Sequence, residues 1–162
     1  MNNYIPWGHI SALVTWIAIF SVAYVYFEIR QEPMVAVAEE GLIPGEIVIP
    51  RSLDGHYYIR GSINGYPVDF MVDTGASVVS VNDHFSKKAS LPSGTPVSLS
   101  TAGGIVTGEI ISGQTVEAGG ISIKGLSVSV GIQSEMALLG QNFLRRVDVI
   151  QSNDKMILRI RT

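Results

Sequence analysis

Two hydrophobic regimes follow one another along the chain. Residues 10–27, which begin at Ile10 and end at Phe27, run for eighteen positions without a charge. As a helix this segment would measure roughly 27 Å at 1.5 Å per residue, close to the hydrocarbon thickness of a bilayer. Tyr4 and Trp7 stand before it and Tyr24 and Tyr26 near its far end, as amphipathic rings do at the two membrane interfaces. A buried core helix is the alternative, but a domain this small has no core able to surround such a helix. The pattern therefore predicts a transmembrane anchor over residues 1–30. A cleaved signal peptide competes with it, because Ala36-Val37-Ala38 has the small-x-small form of a cleavage site. Against cleavage, residues 1–9 hold no Lys or Arg, the apolar run is longer than the usual signal core, and the site lies well past its end.

After the segment the pattern changes. Residues 31–50 mix Pro33, Pro44, Pro50, Gly41 and Gly45 with four acidic residues, which reads as a linker carrying one strand at residues 46–49. From Arg51 onward short β-branched runs alternate with turn residues. Residues 57–60 and 67–72 flank Ser62-Ile63-Asn64-Gly65, and Asn-Gly is a strong hairpin signal. Val68, Phe70 and Val72 alternate with Asp69 and Met71, so one face of that strand is buried. Asn82 is placed to cap a short helix through Ala89. Residues 97–101 and 105–112 flank Ala102-Gly103-Gly104, a second hairpin with a glycine tip. Residues 114–118 and 121–124 flank Gly119-Gly120, and residues 126–130 follow as a further strand. Residues 142–146 form a helical turn, and residues 147–150 and 156–161 make a last hairpin around Asn153-Asp154.

Composition sharpens this picture in a few places. Seventeen glycines, mostly after residue 40, suit an all-β domain with many tight turns. The mean hydropathy is positive, and its source is the first thirty residues. A net charge of −3 without a clustered basic face argues against nucleic acid as a partner. The absence of cysteine excludes disulfides, thiolate zinc sites and cysteine catalysis. His9, His56 and His84 show no metal-ligand spacing, so neither a metal nor another cofactor is expected. No Gly-Lys-Ser/Thr follows the glycine pairs and nothing has the form of a nucleophile elbow. Arg145-Arg146 reads as the end of a short helix.

The segment that carries chemistry is Phe70-Met71-Val72-Asp73-Thr74-Gly75-Ala76-Ser77. An apolar strand ends in a carboxylate, then a hydroxyl residue, then glycine and small residues. A carboxylate that activates water needs a rigid support, glycine beside it lets backbone approach a substrate, and the threonine hydroxyl can lock the loop. A strand ending in an ordinary turn is the bland alternative. The segment resembles the retropepsin-like aspartic proteases, in which an apolar stretch precedes Asp-Thr-Gly-Ala. The second motif of that family is two apolar residues, then glycine, then a short helix. It is similar to Leu138-Leu139-Gly140-Gln141-Asn142-Phe143-Leu144 here. The resemblance covers residues 51–162 and is nearest to the bacterial membrane-anchored branch, which places one such domain after an N-terminal hydrophobic segment.

The resemblance implies a retropepsin-like closed β-barrel preceded by one transmembrane helix. Asp73 would be catalytic, supported by Thr74, Gly75 and Ala76. Leu138, Leu139 and Gly140 would pack behind the loop, and Gly103 and Gly104 would tip the flap. It also implies a homodimer. The reaction uses two carboxylates about 3 Å apart that share one proton, because like charges so close cannot both ionise readily. This chain has no second Asp-Thr-Gly or Asp-Ser-Gly, and Asp54, Asp69, Asp83, Asp148 and Asp154 read as surface carboxylates. The second Asp73 would come from a second copy, with Thr74 hydrogen-bonding across the interface. One departure stands out. Retroviral members usually place an acidic residue after Asp-Thr-Gly-Ala, where Ser77 and Val78 follow here. The expectation is a membrane-anchored aspartic endopeptidase acting on proteins or peptides, with a catalytically silent peptide-binding or dimerisation module as the alternative. A bacterial inner membrane is the expected location. Arg30, the one basic residue beside the anchor, favours a cytoplasmic domain by the positive-inside rule, whereas an N-terminal anchor followed by a long domain is the ordinary layout for export to the periplasm.

Overall fold

The computed structural model describes residues 7–30, 35, 39–40, 45–101 and 103–161. The small-x-small site Ala36-Val37-Ala38, most of the expected linker and Ala102 lie outside the described residues. The chain divides into two compact units, Met1–Pro33 and Met34–Thr162.

The first unit contains α1, Trp7–Arg30. The stretch Trp7–Ile29 is long and apolar enough to cross a membrane. Two of its hydroxyls bond within the helix: Ser11 Oγ donates to Gly8 O at 3.0 Å and Thr15 Oγ1 to Ser11 O at 2.9 Å. Such back-bonding hides polar atoms that hydrocarbon could not solvate.

The second unit is mostly β. In chain order it contains β1 (Glu39–Glu40), β2 (Glu46–Pro50), β3 (Tyr58–Ile63), β4 (Tyr66–Val72), β5 (Val79–Val81), α2 (Asp83–Lys88), β6 (Thr95–Thr101), β7 (Gly104–Ala118), β8 (Ile121–Val130), β9 (Ala137–Leu139), α3 (Gln141–Leu144), β10 (Val147–Ser152) and β11 (Lys155–Ile160). Strands β3, β4, β9, β5, β8 and β7 form a ring, because β3 at the end of the row also pairs with β7. Strand β6 extends the ring as an edge, and β1, β2, β11 and β10 make a separate small sheet. The fold is thus a closed six-strand barrel, as the sequence resemblance implied.

Local rules account for most elements. The β3–β4 hairpin turns at Asn64 and Gly65, both with positive φ (52° and 82°), the conformation that Asn-Gly favours. Asn82 Oδ1 accepts from Phe85 N at 2.7 Å and caps α2. Two expectations need revision. Residues 105–112 and 114–118 are one strand, β7, which slips register near Gln114 instead of ending there. Residues 121–124 and 126–130 are likewise one strand, β8. The glycines taken as breaks are absorbed as irregularities because the neighbouring strand keeps pairing on both sides of them.

Barrel closure depends on one small residue. Gly61 pairs with Val68 on one side and Ala118 on the other. A Cβ there would lie 2.0 Å from Glu117 O and 2.9 Å from a Phe70 ring carbon. The closure is secured next to it by the hairpin turn: Asn64 N donates to Thr115 O at 2.8 Å, Asn64 Nδ2 to Gln114 Oε1 at 2.7 Å, and Thr115 N to Asn64 Oδ1 at 3.0 Å. Inside the barrel, Ile59, Ile63, Phe70, Val79, Val81, Val116, Val128 and Leu139 are fully buried.

A polar cluster stands at the start of β3. Tyr58 Oη donates a hydrogen bond to Asp54 Oδ2, and His56 N donates to Asp54 Oδ1 at 3.0 Å. Burial pushes the Tyr58 hydroxyl up, and the bond to Asp54 and its charge add to this, to about 12. For Asp54, desolvation alone would raise the carboxyl, but the Tyr58 bond, the His56 N–H, the His56 charge and Ser52 together hold it below 3.8.

Two outcomes are expected. Gly61→Val destabilises the full chain by about 3 kcal/mol or more through overpacking against backbone that cannot move, read as a lower midpoint in denaturant titration followed by circular dichroism. The Asp54–Tyr58 bond contributes stability that is full between the unfolded-state values of 3.8 for Asp and 10.0 for Tyr. Because the folded Asp54 value is depressed, the contribution is lost as pH falls below 3.8. Because the folded Tyr58 value is raised, it is also lost as pH rises from 10.0 toward about 12. The stability difference between wild type and Tyr58→Phe shrinks at both ends of a pH series of melts; a difference independent of pH contradicts this account.

Candidate active site

Strand β9 lies between β4 and β5, the two strands that flank the Asp73 segment. It pairs parallel with β4 (Met71 with Leu138, Val72 with Leu139) and antiparallel with β5 (Ser80 with Leu138). Residues 73–78 must therefore cross two strand spacings, about 10 Å, over the end of β9. Three backbone bonds hold them: Asp73 N donates to Leu139 O at 3.2 Å, Gln141 N to Ala76 O at 2.8 Å, and Asn142 N to Ser77 O at 3.2 Å.

Gly140 sits where the loop and the β9–α3 corner touch. A Cβ on it would meet Val78 O at 2.3 Å, Val78 C at 2.5 Å and Ala76 O at 2.9 Å. All three are backbone atoms, so no side-chain rotation could relieve the contact. Leu139 is fully buried in the barrel core, whereas Leu138 is half-buried and faces the cleft described below.

Side chains from α3 complete the support. Gln141 Nε2 donates to Thr74 O at 2.9 Å. Asn142 uses both ends of its amide: Oδ1 accepts from Val79 N at 3.0 Å and Nδ2 donates to Ser127 O at 2.7 Å. It thus joins the exit of the loop, at the start of β5, to β8. The Asp73 carboxylate is fixed by its own turn, with Oδ1 accepting from Gly75 N at 2.8 Å. Asp73 is half-buried and Thr74 exposed.

Beside the loop opens a cleft of about 900 Å³. Asp73, Gly75 and Ala76 line one side and Leu138 the floor. Leu99, Thr101, Gly103 and Val106 of the β6–β7 hairpin line the facing side. Gly103 and Gly104 stand at the tip of that hairpin, where Thr101 pairs with Gly104 and Thr101 Oγ1 donates to Gly104 O at 2.8 Å. Ile105 beside the tip is 80% exposed. Asp73 is the single ionisable side chain lining the cleft among the described residues. No group of three or more His, Asp or Glu stands together as a metal site among the described residues.

The structure brings Asp73, Gly75, Ala76, Leu138 and Gly103 around one cleft, with Thr74, Leu139, Gly140 and Gly104 adjoining it. The sequence reading gave no role to the amides of Gln141 and Asn142 or to the cleft-lining hydroxyls of Ser80 and Ser129. The repeated Val-Ser-Val at residues 79–81 and 128–130 was the available signal for the serines. An alternating strand with two buried valines turns the serine between them to the other face.

Comparisons with a sequence family, two relatives and one solved structure bear on the site. The sequence family described as "gag-polyprotein putative aspartyl protease" matches residues 59–146. An uncharacterized protein of Rickettsia prowazekii (strain Madrid E) is 32% identical over 149 residues, covering 83% of this chain and 64% of that protein. An uncharacterized protein of a Sinorhizobium species is 28% identical over 137 residues, covering 74% of this chain and 59% of that protein. The chain therefore spans less than two thirds of the length of these curated relatives. The crystal structure of a retropepsin-like aspartic protease from Rickettsia conorii superposes with a TM-score of 0.64 at 30% identity, covering 72% of this chain and 91% of that one.

The Asn142 bridge gives a direct test of the support. Asn142→Ala leaves the Val79 N–H and the Ser127 carbonyl without partners and costs about 2 kcal/mol. Asn142→Asp keeps the acceptor for Val79 N–H but sets a carboxylate against the Ser127 carbonyl, so it is expected to be no better. Urea titration of both variants checks this; an aspartate variant as stable as wild type contradicts the bridge.

Proposed function

The chain belongs to the retropepsin-like aspartic protease family, and from that membership and its site we propose that it is a membrane-anchored aspartic endopeptidase completed by a second copy of itself. The observation that carries the reading is the Asp73 carboxylate, the one ionisable group among the described residues that line a cleft faced by a glycine-tipped hairpin. Hydrolysis by this chemistry needs an acid and a base at once, and one carboxylate cannot be both. A two-fold axis beside Asp73 supplies the partner. With one proton shared between the two, the ionised carboxylate takes a proton from water while the protonated one donates to the peptide carbonyl oxygen. The water oxygen bonds to the carbonyl carbon. The tetrahedral adduct then collapses: the C–N bond breaks, the amine leaves with the proton that the first carboxylate took from water, and the second carboxylate, now ionised, takes back a proton from a hydroxyl of the adduct.

Each remaining part has a place in this reading. Gly75, Ala76 and the Leu138-Leu139-Gly140 corner keep the carboxylate aimed. Exposed Thr74 is available to hydrogen-bond its counterpart across the axis. The Gly103–Gly104 tip closes over an extended peptide and covers Ile105. Residues 10–27 within α1 hold the chain in a bacterial inner membrane, residues 31–50 link it to the protease domain of residues 51–162, with β2 of that link already paired to β11, and the domain is exported to the periplasm. Confinement to a plane raises the effective concentration of the chains and favours pairing.

Asp73→Asn is expected to lower peptide cleavage by the full chain in detergent by about 10²- to 10⁴-fold, with the melting profile retained. Mixing wild-type and Asp73→Asn chains should reduce activity beyond simple dilution, because mixed dimers hold only one carboxylate. Undiminished cleavage by Asp73→Asn contradicts the assignment. Peptide binding without cleavage by wild type would instead mark a silent binding module.

A further inference from the structure

The face of the barrel that meets the cleft is crossed by a continuous row of five side chains. Met71 of β4 pairs with Leu138 of β9, Leu138 with Ser80 of β5, Ser80 with Ser129 of β8, and Ser129 with Ile110 of β7. All five line the cleft. Their sequence neighbours Phe70 and Val72, Ala137 and Leu139, Val79 and Val81, Val128 and Val130, and Ile111 are buried on the core side. Strand alternation therefore turns the five the other way. The row reads apolar, apolar, hydroxyl, hydroxyl, apolar. Two hydroxyls stand in the middle of a floor whose every other member is hydrocarbon or thioether.

Those hydroxyls are not surface decoration. Ser80 is 6% exposed and Ser129 1%. Ser129 Oγ lies 2.7 Å from Ser80 Oγ, which lies 3.1 Å from Val78 O. The protons can be assigned by count. A carbonyl only accepts, so Ser80 spends its single proton on Val78 O, and Ser129 must then donate to Ser80. Both protons are used. Ser80, the more accessible of the two, keeps one lone pair and has no proton to give. The floor next to Leu138 thus offers an acceptor and no donor. An apolar substrate group placed on it would leave that acceptor desolvated and unpaired, and a carboxylate would meet oxygen with oxygen. A group that carries a proton would pair.

We propose that Ser80 is a specificity-determining residue, oriented by Ser129, and that the cleft takes a peptide bearing a small donor side chain, Thr, Ser or Asn, at the position above it. The proposal rests on the peptidase reading and names a substrate class for the same cleft. Leu138 and Ile110, which flank the two serines in the floor, accept the methyl of Thr, so Thr and Val, nearly equal in shape, differ at this position in a hydroxyl that can donate against a methyl that cannot. Asn and Asp make the second matched pair.

The test is cleavage of a mixed peptide library by the full chain in detergent micelles, with cut sites mapped by mass spectrometry. At one peptide position the wild type is expected to prefer Thr over Val and Asn over Asp by about tenfold. Ser80→Ala removes that preference while the preferences at other positions stay, and Ser80→Thr, which restores a hydroxyl, keeps it. Asp73-dependent cleavage with no position favouring Thr over Val overturns the subsite and leaves the peptidase reading standing. So does a Ser80→Ala profile identical to wild type. Absence of any Asp73-dependent cleavage overturns the peptidase reading and the subsite together.

Discussion

The close approach of Gly140 to the backbone of Ala76 and Val78 is the constraint on which the rest of the site depends. Strand β9 enters the sheet between β4 and β5, so the segment bearing Asp73 has to pass over its end. At the crossing two backbones come within the distance of a single Cβ. Only there can Asp73 N reach Leu139 O, and Gln141 N reach Ala76 O, at the same time. The carboxylate is thus held by main-chain bonds on both sides of its loop, and its aim is set by its own short turn with Gly75. A rigid support of this kind keeps a reacting group in position without help from a substrate.

The two faces of the barrel strands divide the work. One face packs Ile59, Phe70, Val79, Val128 and Leu139 into a core closed at Gly61. The other face, shifted by one residue, forms the floor of the cleft. Because the side-chain period of a strand is two, any change that slipped the register by one residue would exchange core and cleft together. Core and site are therefore specified by the same alternation. The amides of Gln141 and Asn142 then tie α3 back to the loop and to β8, so the short helix behind the site moves with it.

Under the proposed reading, the cleft lacks one part, a second carboxylate. The cleft has a floor, a facing hairpin and a fixed carboxylate, and among the described residues no second ionisable group lines it. The incompleteness follows from the fold, because one barrel presents one end of β4 to the cleft. Under the proposed reading, a symmetric pair of chains is the simplest source of a second carboxylate, and assembly beside a membrane would then be a natural point of control.

Much of this was legible in the sequence. The eighteen uncharged residues, the Asn-Gly hairpin, the Asn82 cap and the two separated motifs are local features, set by hydropathy, turn preference and side-chain length within a few positions. They were enough to indicate an all-β domain, its resemblance and Asp73. The strands β5 and β9 were not legible, because three-residue strands carry too little alternation to separate from loop, and their pairing partners lie 49 to 67 residues away along the chain. Glycines at residues 113 and 125 read as breaks because only the neighbouring strand, absent from local sequence, decides that pairing continues. Gly140 was placed by motif, but the reason for it, backbone at 2.3 Å, exists only once β9 has entered between β4 and β5. The serines at 80 and 129 looked like ordinary strand residues until register set them side by side, 2.7 Å apart, in the floor of the cleft. Sequence by itself determined which residue types occupy each strand and turn. Tertiary structure alone decided which of them face one another, since that depends on contacts between segments far apart in the chain.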